Sequence, residues 1–339
     1  MNATTGSPHI RRRLVSVLLL SGVLASLLLA VPGLKGVTTQ IAHLDGGWLV
    51  AAVALEFGSC LAFAVIFRLF FNELPSGPAR KLAWVEQGAG ALLPGGGVGA
   101  LAAGGWLLHQ RGLSKRRIIE CSSGLFFLTS AVNIVALVGA GALLATGLSA
   151  GPDDPLRSVA PIVGGILVMV AVLLVSILTR RSPGRRRPAW LTAGIDSARS
   201  SIARPNWRLV GAVGYLGLDI AALGATLAAT GRPVPVAPLV LAYLIGYLAN
   251  LIPIPGGFGV LEGGLAGALV AYHAPATQAA AAVVVYHAIA FWIPGLGGLL
   301  GYFLLRDQSH MLALRRRRAL RAAQAAAPKR SSTAAALAS

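Results

Sequence analysis

Acidic residues and cysteines are scarce in this chain of 339 residues, with 11 Asp and Glu together and two Cys. Cys60 and Cys121 both fall inside apolar runs, and no Cys-x-x-Cys spacing occurs, which argues against a disulfide framework or a thiolate metal site. Gly-x-Ser-x-Gly, His-Glu-x-x-His and a Walker motif are missing too, and the six histidines are dispersed, so the sequence offers no recognisable catalytic motif, metal site or cofactor site and gives enzyme chemistry little support. Charged residues make up only 12%, too few for the surface of a soluble protein of this length. What is present instead is apolar: 55% hydrophobic residues and a mean hydropathy of +0.73. The chain reads as an all-α, polytopic membrane protein. Its net charge of +18 sits in short clusters between apolar runs, which points to anionic lipid head groups at the cytoplasmic face and not to nucleic acid.

Those basic clusters order the apolar runs. A cytoplasmic arm, residues 1–13, ends in Arg11, Arg12 and Arg13, and the first span is expected over Leu14 to Val31. Leu34, Val37, Ile41 and Leu44 recur at helical spacing, as in a short amphipathic helix lying at the interface. Full crossings are expected at Trp48 to Phe71, Ile118 to Leu148, Val159 to Thr179, Leu209 to Thr230, and Thr277 to Leu305, the last bent at Pro294. A basic linker at 188–208, with a surface helix around Ile195 to Ile202 as one reading and a solvated loop as the other, joins the two halves. Residues 306–339 form a basic, Ala-rich cytoplasmic tail with no apolar pattern of its own.

Two further apolar stretches, 82–109 and 237–272, are each broken by prolines and glycines. Pro94, Gly95, Gly96, Gly97 and Gly99 interrupt the first, and Pro253, Pro255, Gly256, Gly257 and Gly259 the second. Proline removes a backbone donor and glycine permits φ > 0, so each helix stops and restarts. If either stretch crossed fully, basic clusters downstream would fall outside the cell, against the positive-inside rule. Read as re-entrant hairpins entering from opposite faces, they leave 26 of the 29 Lys and Arg inside. Six spans plus two opposed broken hairpins suggest an inverted repeat with a site near the midplane.

Leu92-Leu93-Pro94-Gly95-Gly96, the basic stretch with Arg111-Gly112, the run Leu251 to Gly259, Tyr286, and Phe291-Trp292-Ile293-Pro294 together resemble the lysylphosphatidylglycerol synthase transmembrane-region family, over roughly residues 14–305. The resemblance implies a flippase-like protein of the bacterial plasma membrane with a lipid substrate and cytoplasmic termini. Ala100, Ala103 and His287 stand where many members carry an acid or an arginine, and no aminoacyl-transferase domain follows residue 305. A lipid translocator or lipid-binding protein is therefore expected. The alternative is a membrane transferase, or an accessory scaffold for a separate aminoacyl- or glycosyl-transferase partner.

Ionisable residues deep in a span are candidates to contact substrate. Asp219 stands mid-span with no adjacent Lys or Arg. Glu262 opens the half-helix after Gly259, where an acid either caps the helix or meets a cationic group or a proton. His287 packs singly bonded or pairs with Asp219 or Glu262. Tyr286 belongs to the family pattern, Asn250 precedes the second break and caps freed backbone there or faces substrate, and Glu86 is either lysine-paired to Lys81 or part of the site. Glu56 and Asn133 rank lower, since nothing in the sequence names their partners.

Overall fold

The structure, a computed structural model, describes residues 35–93, 97–181, 189–204, 206–248 and 260–326. The expected first span and most of both break motifs lie outside these residues. The rest is helical: α1 (Lys35–Ala42), α2 (Gly46–Phe70), α3 (Ser76–Leu92), α4 (Gly97–Gln110), α5 (Lys115–Ala145), α6 (Pro155–Arg181), α7 (Ala189–Ala203), α8 (Val210–Ala229), α9 (Val236–Tyr247), α10 (Val260–Ala271) and α11 (Ala276–Ala326). Local chemistry sets several starts. Asp45 accepts from the backbone N–H groups of Gly47 (2.7 Å) and Trp48 (3.2 Å) at the head of α2, and Ser114 accepts from that of Arg117 (3.3 Å) at the head of α5. Asn206 does the same for Arg208 in the short 3-10 turn Trp207–Leu209 that leads into α8.

Five stretches are long and apolar enough to cross a bilayer: Gly46–Phe70, Lys115–Ala145, Pro155–Val175, Trp207–Ala229 and Ala276–Arg306. They coincide with the five crossings expected after the first span. Of the two readings of the linker, the structure has a helix, α7, with Gly194 against Ser123 and Phe127 of α5, and the amphipathic segment is α1, whose Val37 is buried while Thr39 is exposed. Leu167, Leu173 and Leu178 leave α6 with an exposed apolar surface that water would not tolerate and lipid would. The final helix continues past Leu305 to Ala326, through part of the expected tail.

Side-chain contacts sort the loops between the two ends of the bundle. At one end Glu73 pairs with Arg117 (2.8 Å), Arg208 donates to the Arg68 carbonyl (3.2 Å), and Gly301 abuts the Lys81 carbonyl. At the other end Gln40 donates to the Thr230 carbonyl (3.3 Å), Tyr272 donates to the Arg157 carbonyl (2.9 Å), and Gly151 rests on Pro238. The pair α3–α4 thus begins and finishes at the first end, and α9–α10 begins and finishes at the second. At 12 residues each, α9 and α10 are only about 18 Å long, short of a ~30 Å hydrocarbon core.

Each helical hairpin has its own core. Leu82, Leu107, Leu108 and Leu113 join Phe67, Phe70 and Leu125 in one, while Leu241, Leu265, Leu269 and Tyr272 join Leu223, Leu227 and Val283 in the other. The packing is reciprocal: α3 lies along α11, the helix that follows the second hairpin, and α9 lies along α5, the helix that follows the first. Gly88 makes the first contact possible, since a Cβ there would stand 2.6 Å from the Pro294 carbonyl oxygen and 2.7 Å from the Gly298 Cα. Between the hairpins, α2 and α8 pack antiparallel, with Gly58 against Leu218, Gly214 against Ala62 and Gly211 against Ile66.

Candidate functional site

Asp219 occupies the middle of α8, where one helix face meets α2, α9 and α11. Tyr243 of α9 donates its hydroxyl hydrogen to Asp219 Oδ2 (2.5 Å), and Tyr286 of α11 donates to Oδ1 (2.6 Å). Both are charge-assisted bonds if the carboxylate is ionised, the stronger class of hydrogen bond. Tyr247, one turn beyond Tyr243, brings its hydroxyl to 3.4 Å from that of Tyr286, and the Tyr243 and Tyr247 rings lie 4.6 Å apart. Tyr286 is 1% exposed, while Asp219 and Tyr247 keep part of their surface accessible. The result is a carboxylate walled by phenols, polar at its centre and aromatic at its sides, carried by the second hairpin and the two long helices that flank it.

From α2, Glu56 enters the same group. Its side chain lies within hydrogen-bonding reach of Asp219, and the Cys60 thiol points to its Oε1 (3.9 Å). Ser59 donates to the Tyr215 carbonyl (2.9 Å), tying α2 to α8 beside it. Gln87 of the first hairpin donates to the Cys60 carbonyl (3.3 Å) and to that of Ala83 (3.4 Å). Residues from both halves therefore converge here.

A second polar contact lies next to the first along α11. Glu262 Oε1 stands 3.5 Å from His287 Nε2, both residues being partly accessible. Successive helix residues point about 100° apart, so Tyr286 turns to Asp219 while His287 turns to the start of α10. Of the two partners considered for His287, Glu262 is the one found.

The remaining expected residues divide. Glu86 is 7% exposed and approaches Gly104 across the first hairpin, where an added Cβ would stand 2.7 Å from its Oε2; no ion pair with Lys81 occurs among the described residues. Five helical residues turn the side chain about 140° away, which puts Lys81 and Glu86 on different faces. Gly97 and Gly99 open α4. Asn250, Pro253, Pro255, Gly256, Gly257 and Gly259, with Pro94, Gly95 and Gly96, lie outside the described residues. The sequence reading missed Tyr243 and Tyr247 and ranked Glu56 low. One signal was available: Glu56 precedes Pro94 by 38 residues and Asp219 precedes Pro255 by 36.

The sequence model of the lysylphosphatidylglycerol synthase TM region matches residues 14–298, and the chain belongs to that family. No protein with a curated description matches it.

Proposed function

We propose that this multi-pass member of the lysylphosphatidylglycerol synthase TM region family is a flippase-like lipid translocator, with the lipid head group received near the midplane, between the second hairpin and the long helices α8 and α11. One observation carries the reading: Asp219, partly accessible in mid-span, is held by Tyr243 and Tyr286 from the hairpin and the last span. An ionisable group in hydrocarbon is expensive, and a structure that keeps one accessible and aims it between helices has a use for it. Both hairpins are re-entrant in this reading, the first from the cytoplasm and the second from outside. Their broken backbone then faces protein or an aqueous cavity and not lipid. The Glu262–His287 pair sits at the start of the half-helix α10, one residue along α11 from Tyr286.

The test is scrambling of fluorescent analogues of phosphatidylglycerol and phosphatidylethanolamine in proteoliposomes, read by quenching of the outer leaflet. The native protein should accelerate at least one of them over empty vesicles. Asp219→Asn should slow it by about tenfold or more, the factor that corresponds to about 1.4 kcal/mol, while the protein stays folded. Acceleration of neither lipid, or a wild-type rate in the folded variant, would sink the assignment.

A further inference from the structure

The reciprocal arrangement of the halves brings one acid from each to the centre of the molecule. Glu56 and Asp219 stand at near-equivalent distances before the two Pro-Gly-Gly breaks, on the antiparallel helices α2 and α8. Their side chains are in hydrogen-bonding reach of one another. Donors are divided unequally between them. Asp219 receives a phenol hydrogen on each oxygen. Glu56 is 5% exposed, and its Oε2 has no donor among the described residues.

The titratable groups that face this pair are Cys60 from α2, Tyr215 from α8, Tyr243 and Tyr247 from α9, and Tyr286 from α11. Among the described residues none of these is a Lys, Arg or His. The first hairpin contributes Gln87, whose amide is turned to backbone carbonyls. Two ionised carboxylates cannot bond to each other, because each only accepts, and no cationic side chain among the described residues offsets their repulsion. One proton on Glu56 Oε2 removes both problems at once. It gives that oxygen a partner and converts the contact into an O–H···O⁻ bond to Asp219, whose negative charge the two phenols already hold.

We propose that Glu56 and Asp219 form a proton-binding pair where the two halves meet, with the proton on Glu56 and the charge on Asp219. Gain and loss of this proton switches the charge beside the head-group site between one and two negative charges. As a control on transport the inference rests on the translocation reading; as a proton site it does not, and it is measured without transport.

The measurement is infrared difference spectroscopy of the purified full-length protein at neutral pH, in sodium-free choline chloride. Subtracting the spectrum of Glu56→Gln from that of the native protein should leave the C=O stretch of one protonated carboxyl per chain. Asp219→Asn should shift that band, because its acceptor changes from a carboxylate to an amide. The side-chain amide introduced by Glu56→Gln can donate to Asp219 as the acid does, so this variant should melt like the native protein; if it does not fold, the Asp219→Asn spectrum decides. A native spectrum with no carboxyl band sensitive to either substitution would overturn the proposal. So would a band abolished by adding sodium chloride, which would mark a metal-cation site in place of a proton. A band of the expected kind in a protein that scrambles neither lipid would uphold the proton pair and count against translocation alone.

Discussion

Tyr243 and Tyr286 each give a hydrogen to a different oxygen of Asp219, so the carboxylate is held from two helices at once. Losing one such bond in a membrane interior costs about 1–2 kcal/mol. Tyr243→Phe and Tyr286→Phe should each lower stability by that amount in detergent unfolding experiments. The double variant should depart from the sum, because both phenols bond the same carboxyl. Strict additivity would mean that the two phenols act on Asp219 independently. Asp219, Tyr286 and the Glu262–His287 contact were within reach of sequence reasoning, because an ionisable or paired polar residue in an apolar run stands out. Glu56 stood out in the same way, but its partner did not, since that partner lies 163 residues away and only the three-dimensional crossing of α2 and α8 connects them. For Glu86, proximity in sequence suggests Lys81 as a neighbour, and helical geometry turns that neighbour away.

The helices themselves were legible from apolar run length, and the ends of most from Pro, Gly and basic residues. Which faces touch was not. GxxxG spacings occur at Gly263/Gly267 and at Gly297/Gly301, yet only the second pair is used closely among the described residues: Gly297 meets Trp84 and Gly301 meets Lys81, with Gly298 against Gly88 between them, while Gly263 and Gly267 meet nothing within 4 Å. Spacing marks a stripe without saying what lies opposite. The crossing of α3 and α11 supplies the prediction at this scale. Gly88→Ala should destabilise the protein by about 1–3 kcal/mol, since the new methyl group meets backbone that has no rotamer to change. Gly77→Ala in the same helix has open space around it and should be neutral or slightly stabilising. Comparing the two melting curves separates the contact at Gly88 from any general effect of removing a glycine from α3.

For the whole molecule, the distribution of Lys and Arg favours returns over full crossings for the two broken stretches, and this reading fixes a side for every loop. Single cysteines at Lys115, Asp153 and Arg232, all exposed, should therefore separate by side when cells are treated with an impermeant maleimide. Asp153→Cys and Arg232→Cys should label in intact cells, and Lys115→Cys only after the cytoplasm is opened. Cys60 and Cys121 are buried and set a low background. Labelling of Lys115→Cys from outside would remove the first re-entrant hairpin.

The reciprocal seating of the hairpins also governs the order in which this protein becomes complete during synthesis. When α3 and α4 leave the ribosome, the helix against which α3 rests begins only at Ala276, well over a hundred residues after Gln110, and Tyr286, the last of the groups around Asp219, belongs to that same helix. The first hairpin must therefore wait, incompletely packed, for almost the entire chain, and the central site closes only as α11 arrives.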